Sequence, residues 1–384
     1  MASESEVIDL LVVGAGPTGI AIGAEARQAG MSVLLVDRGP VTAAIQAYPT
    51  FVEFFTTRDR LEIAGVPFGI PEAKPSRRQA LVYYRSVVER YGIPLALYEN
   101  VLDVVRRDGE DGGGDAGGAG GADGLFQVRC ERIAEPGVVR VRRARAVAIA
   151  TGYFDGWKKL EVPGEEQPWV HHRYTEAYPY FNQDVVIVGA GNTAAEAAVD
   201  LWRNGARVTL VHRREHVKPG VKYWLKPDVE NRIAEGSIAA HFGSWVRSFG
   251  RETVEIVTPQ GELSLPAQAA FVLIGYVPDA EFQRRCGVEI DPLTLVPTFD
   301  PETCETNVPG LYVAGTIQAG RTIDRIFIEN SREHGPKVVN HLRRRLAGAA
   351  PATAATAAVA AVPGAGDAAT AGALAVEPAA SASR

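Results

Sequence analysis

Residues 8–13 are apolar apart from Asp9 and run straight into glycine, the pattern of a buried parallel strand entering a tight turn. From Ile20 to Ala29 the small and apolar residues take helical spacing, and Ser32 to Val36 reads as the next strand. The pattern therefore predicts a βαβ unit. The same succession is predicted further along: a strand from Asp184 to Val188, a helix from Asn192 to Trp202 and a strand from Val208 to Val211. Between the two units, Val141 to Ala150 reads as a strand closing on Thr151-Gly152. Thr253 to Val257, Ala270 to Ile274 and Gly310 to Ala314 are further strand candidates, and Ile326 to Arg345 reads as mostly helical. Strands alternating with helices place the chain in the α/β class, with two Rossmann-like units.

Two stretches break the pattern. Gly109 to Gly124 is almost entirely Gly, Asp and Ala and has too little apolar surface to offset its ordering entropy, so residues 109–124 are expected to be a flexible insertion at a hairpin tip. From Ala349 the chain is alanine-rich with scattered Pro and Gly, and residues 346–384 are expected to be a disordered tail. The remaining length of the 384-residue chain suffices for two domains with substantial cores. A net charge of −6 gives no support for a nucleic-acid partner. The three cysteines, Cys130, Cys286 and Cys304, form neither a CxxC pair nor a disulfide framework. The acidic start lacks a basic region before an apolar stretch, and the apolar runs are strand-sized. No cleaved signal or membrane span is expected, and a cytoplasmic location follows as the default.

The chemistry lies in the two glycine turns. The first reads Gly14-x-Gly16-x-x-Gly19 and is followed by an acid, Asp37, at the end of the next strand. A lone glycine pattern is weak, but here it follows a strand, opens a helix and has an acid at the right distance. Gly14 permits the tight turn, Gly16 lets backbone approach a pyrophosphate and Gly19 allows close helix–strand packing. The helix that opens at Pro17 and Thr18 offers the unpaired N–H groups of its first turn to phosphate, and Asp37 can accept from ribose hydroxyls. The second turn reads Gly189-x-Gly191-x-x-Ala194, with Asn192 and Thr193 opening its helix. Alanine is tolerated at the third position because that site serves packing. At the ribose-reading position stand His212, Arg213 and Arg214. Arginine provides a fixed fork for phosphate oxygens, so a 2′-phosphate is expected there and NADPH is favoured over NADH.

Taken together these motifs resemble the two-dinucleotide-binding flavoprotein reductases, with the architecture of thioredoxin reductases. Ala150-Thr151-Gly152 looks like their strand-end turn, and the run from Gly310 to Gly315-Thr316 like the late segment that completes the flavin domain. A closer resemblance, from about Val7 to Leu342, is to the bacillithiol disulfide reductase family. It is carried by Tyr48-Pro49-Thr50, Phe54-Phe55, Lys74-Pro75, Tyr83-Tyr84-Arg85, Thr151 to Asp155, Val162-Pro163-Gly164-Glu165, and Ile326 to Asn330 with His334-Gly335. The resemblance implies FAD at the first turn and NADPH at the second. It implies an FAD domain split between residues 1–165 and 275–345, with the NADPH domain at 166–274 between them, and a homodimer. Arg38, Gln46, Tyr48, Thr50, Val101 and Ile323 complete the expected cofactor contacts, with Tyr48 expected near the flavin ring and Thr18 within hydrogen-bond reach of it.

The resemblance implies reduction of a low-molecular-weight disulfide such as bacillithiol disulfide by NADPH through FAD. One position departs from the pattern: the family's active cysteine stands immediately before the third glycine, where this chain has Thr18. A hydroxyl is neither a ready nucleophile toward sulfur nor a redox partner for a flavin. Two alternatives therefore stay open. One is electron transfer to a small carrier protein such as ferredoxin or flavodoxin, or to a quinone or oxygen; the other is a redox-responsive protein that binds FAD and NADPH without turnover. Adjacent His171 and His172 have no third partner in the sequence, so no metal site is expected.

Overall fold

A computed structural model describes residues 7–107, 124–322 and 325–348. Its largest sheet is centred on the strand Val7–Val13, which pairs in parallel with Val33–Asp37 on one side and Val139–Ile149 on the other. The order across the sheet is Leu95–Leu97, Val33–Asp37, Val7–Val13, Val139–Ile149, Leu125–Arg132, Glu99–Arg107. Val139–Ile149 is long enough to serve two partners on one edge. Its first part pairs antiparallel with Leu125–Arg132, and its last three residues pair in parallel with Leu311–Val313. A segment far along the chain is thereby returned beside the first glycine turn. The helix Pro17–Gln28 packs on this sheet through Ile20 and Ile22, both fully buried, and the final helix His334–Leu346 lies against it with Gly335 at the backbone of Ala21. Burying each such aliphatic side chain contributes about 1.5–3 kcal/mol.

The second parallel sheet runs Ala239–Phe242, Arg207–His212, Asp184–Val188, Ala269–Val272, Val170–His171. The helix Asn192–Arg203 covers it with a face of alanines and Leu201. In such an open sheet the crevice lies at the carboxyl ends of the strands where the order reverses, here between Asp184–Val188 and Ala269–Val272. A separate antiparallel sheet, Trp245–Phe249, Thr253–Thr258 and Gly261–Pro266, packs Val246, Val254 and Ile256 beneath it.

The strands and helices of both βαβ units stand where the apolar pattern puts them, to within three residues. The stretch from Ile326 to Arg345 is mostly helical, as its pattern reads, and is divided into two helices, Ile328–Ser331 and His334–Leu346. Pro336 supplies the reason, since it lacks an N–H and fits only in the first turn of a helix. Glu99–Arg107 and Leu125–Arg132 form a hairpin whose last described pair is Arg107 with Leu125, so the glycine-rich insertion connects hairpin strands. Residues 108–123, Ile323 and the tail from 349 lie outside the described residues. Among the described residues no helix is long and apolar enough to cross a membrane.

Candidate functional site

At the first glycine turn each glycine has a distinct physical reason. Gly14 holds φ +115°, and a Cβ there would stand 2.5 Å from the Ala150 carbonyl oxygen. A Cβ on Gly19 would collide with the Gly14 carbonyl, whereas one on Gly16 would meet nothing within 4 Å. Gly19 is thus a packing residue, and Gly16 leaves an open cradle above the helix start. Asp37 closes the turn: its carboxylate accepts from the Ala15 N–H at 2.7 Å and from the Gly39 N–H at 2.7 Å. Burial raises its pKa, with those two hydrogen bonds opposing the rise.

Three chain segments converge on this turn. Ala150, which begins the Thr151-Gly152 turn, touches Gly14, and the Thr316 hydroxyl lies 3.5 Å from where a Gly152 Cβ would stand. A Cβ on Gly315 would lie 2.9 Å from the Thr18 hydroxyl, and Thr18 in turn shares a hydrogen bond with Ser331 at 3.0 Å. The Gly315 N–H donates to His334 Nδ1 at 3.0 Å, which leaves the ring proton on Nε2. Burial lowers the His334 pKa to about 4, with Lys337 acting in the same direction, so the ring is neutral near pH 7.

A cavity of about 680 Å³ opens beside these segments. Gly14, Asp37, Arg38, Val101, Thr151 and Gly152 all line it, so the structure brings together six of the residues expected at the first site. Arg38 reaches Asp155 at 2.7 Å, and the same carboxylate accepts from Arg173 at 2.7 Å. Tyr48 packs edge-on to Phe154 at 5.0 Å, and Phe154 stacks on Tyr276 at 4.8 Å. Burial, with Tyr153 and Tyr276 alongside, holds the Tyr48 phenol well above its ordinary range. Gln46 and Thr50 are exposed and contribute through backbone: the Gln46 carbonyl accepts from Arg77, and the Thr50 N–H donates to Thr175. Neither lines the cavity.

The second turn repeats the arrangement. Gly189 holds φ +131° and packs on the Leu273 carbonyl, while Ala194 takes the third position as a buried residue of the covering helix. The Asn192 side chain accepts from the Lys222 N–H at 2.9 Å, which pins the segment after His212 across the helix start, and Thr193 is half-buried next to it. His212 is buried with Nε2 unpartnered, and its pKa is lowered first by burial and then by Lys218, Arg213 and Arg214. Arg213 and Arg214 are exposed and pair with no carboxylate among the described residues.

Several residues of these sites escaped the sequence reading. Ser331 and His334 stood inside a stretch that reads as mostly helical and carries no periodic sign of a site. Lys218 lies six residues beyond His212, and the backbone bond from its N–H to the Ala190 carbonyl returns it to the glycine turn. Asp155 gave a signal only as part of the family run. Phe55 and Trp224, from distant parts of the chain, stack at 5.2 Å, and the ammonium groups of Lys74 and Lys222 lie 5.3 and 5.7 Å from the indole ring.

The first glycine cradle, the acid that closes it and the open crevice of the second turn fit two dinucleotides. Comparison with known proteins agrees. The family model described as pyridine nucleotide-disulphide oxidoreductase matches residues 11–111 and 124–315. The chain is 35% identical over 336 residues to bacilliredoxin reductase Bdr of Bacillus subtilis, covering 87% of this chain and 97% of that protein. It is 26% identical over 324 residues to a ferredoxin–NADP reductase of Ignicoccus hospitalis, covering 80% of this chain and 90% of the relative. The solved structure of bacillithiol disulfide reductase Bdr (YpdA) from Bacillus cereus superposes with a TM-score of 0.82 at 34% identity, covering 88% of this chain and all of that one. The chain is an NAD(P)H-dependent flavoprotein oxidoreductase and belongs to the pyridine nucleotide-disulphide oxidoreductase family, in the branch of the bacillithiol disulfide reductases.

Proposed function

We propose that this protein uses NADPH to reduce a bacillithiol-type low-molecular-weight disulfide, through FAD held at the first glycine turn. The observation that carries this reading is the contrast between the two turns: one ends in an acid tied to its own loop, the other in exposed arginines without carboxylate partners among the described residues. Residues 1–165 with 275–345 would hold FAD and residues 166–274 NADPH. Gly14, Gly16 and the N–H groups of Thr18 and Gly19 frame the FAD diphosphate, and Asp37 takes the ribose. Arg38, Val101, Thr151 and Gly152 wall the cavity, with Thr316 beside Gly152 and Gly315 beside Thr18. Gly189, Gly191, Asn192, Thr193 and Ala194 seat the second diphosphate, and His212, Arg213 and Arg214 receive the 2′-phosphate.

A bound flavin supplies the two-electron relay, so that NADPH, one proton and a disulfide become NADP⁺ and two thiols. The chain's own contribution is position and proton control. Thr18 and Ser331 present hydroxyls at the turn, and neutral His334 fixes the Gly315 backbone that faces them.

A second reading, transfer to a separate carrier such as a ferredoxin-type protein, is favoured by the cysteines. Cys130, Cys286 and Cys304 are buried, and burial pushes their thiols up to about 11, about 12 and about 11. No thiol stands at Thr18. Anaerobic reduction of the purified holoprotein by NADPH, then reoxidation by bacillithiol disulfide, other small disulfides, ferredoxin, flavodoxin and quinones, separates the two. Fastest reoxidation by a disulfide supports the first reading; preference for ferredoxin replaces it with the second.

A further inference from the structure

The crevice of the second turn has a charged wall that does not come from its own sheet. Residues 152–159 pass from the first sheet to the second half of the chain and pair there with the stretch after Ala269–Val272. Trp157 bridges to Tyr276, and the Lys158 N–H donates to the Gly275 carbonyl at 2.9 Å. Gly275 holds φ +109° and has no side chain, and the Lys158 stem lies along the space this leaves. Its Cδ and Nζ stand 3.9 and 3.8 Å from where a Gly275 Cβ would be. On the opposite lip, Lys218 Nζ stands 3.8 Å from where a Gly191 Cβ would be. Gly189, between them, packs on the Leu273 carbonyl, so the two lips belong to one crevice.

Lys158, Lys218, Arg213 and Arg321 pair with no carboxylate among the described residues, and His212 Nε2 is buried without a partner. Lys158 is half-buried, and burial, then Lys218, Arg321 and Arg213, lower its pKa. Gathering cations without a counter-charge is unfavourable unless an anion joins them.

We infer that Lys158 is a phosphate ligand for the pyridine nucleotide, contacting its pyrophosphate from the side opposite Lys218. This rests on the reading of the second turn as the nucleotide site. The pyrophosphate is favoured over the 2′-phosphate by position: Lys158 lies at Gly275, beside the Gly189 turn, whereas the 2′-phosphate candidates follow the strand Arg207–His212 on the other side of Asp184–Val188. Lys158 belongs to the crossing segment, so the bound nucleotide also ties that segment to the second sheet.

The test is calorimetric binding of NADP⁺ and NAD⁺ to the holoprotein, wild type against Lys158→Met, Lys158→Arg and the exposed neighbour Lys159→Met. A lost charge-assisted phosphate contact weakens binding by about tenfold. Lys158→Met should show that loss equally for NADP⁺ and NAD⁺, with a shallower salt dependence. Lys158→Arg should recover most of it, and Lys159→Met should bind as wild type. In turnover, the Lys158→Met loss should fall on KM rather than kcat. Unchanged binding by Lys158→Met overturns the inference, and a loss confined to NADP⁺ overturns the pyrophosphate assignment. Failure of the wild type to bind either nucleotide would instead overturn the reading of the second turn.

Discussion

The Thr18 hydroxyl lies 3.0 Å from the Ser331 hydroxyl, joining the first glycine turn to the short helix Ile328–Ser331. Both groups can donate or accept a proton, and neither can carry electrons. Redox work at this turn therefore falls to the bound cofactor and the acceptor, without a protein sulfur between them.

Turnover should accordingly be indifferent to thiol alkylation. At pH 8 a thiol with a pKa of about 11 is ionised in roughly one molecule in a thousand. Excess N-ethylmaleimide on the native holoprotein should leave NADPH-driven flavin reduction and acceptor turnover unchanged, with all three cysteines labelled only after unfolding. Loss of turnover on modification of one cysteine, located by mass spectrometry, would assign that residue a role this structure does not give it.

The second and third glycines of the first turn should separate folding from cofactor binding. Gly16→Ala meets nothing within 4 Å, so the thermal midpoint of the cofactor-free protein should stay within about 2 °C while flavin occupancy falls. Gly19→Ala drives a methyl into the Gly14 carbonyl and should cost about 2 kcal/mol or more even without cofactor. Calorimetric unfolding and the visible absorbance of bound flavin read the two effects independently.

Nucleotide preference should reside in Arg213 and Arg214. Replacing both with glutamine should weaken NADPH by roughly 10- to 100-fold and leave NADH nearly unchanged, the loss of one or two charge-assisted phosphate contacts. Equal losses for both nucleotides in steady-state KM values would remove the 2′-phosphate assignment.

Acid should weaken the fold through His334. Its folded pKa is about 4 against an ordinary value of 6.5, so between those values the unfolded chain binds more protons. This contribution is complete above pH 6.5 and is lost as pH falls toward 4, amounting to roughly 2–3 kcal/mol. The thermal midpoint of His334→Gln should therefore fall less between pH 7 and pH 4.5 than that of the wild type. Parallel losses would refute a titrating role.

Much of the site was legible because strand–turn–helix units write their chemistry locally. Gly14, Gly16, Gly19 and Asp37 are close in sequence and adjacent in space for the same reason: parallel neighbours share one crevice. What escaped depends on long-range return. Ser331 meets Thr18 only because Pro336 splits the final helical stretch and Leu311–Val313 pairs with the end of Val139–Ile149. Lys158 meets the second turn only because a crossing segment pairs at Gly275. Neither event leaves a periodic trace.

The Phe55–Trp224 stack gives the molecule an optical gauge of its own. The two rings come from the two halves of the chain, and the indole sits 43% exposed beneath a pair of ammonium groups. Its emission depends on that ring and those charges staying in place. The difference spectrum between wild type and Trp224→Phe therefore reads out, without any added dye, whether the halves hold this arrangement as substrate turns over.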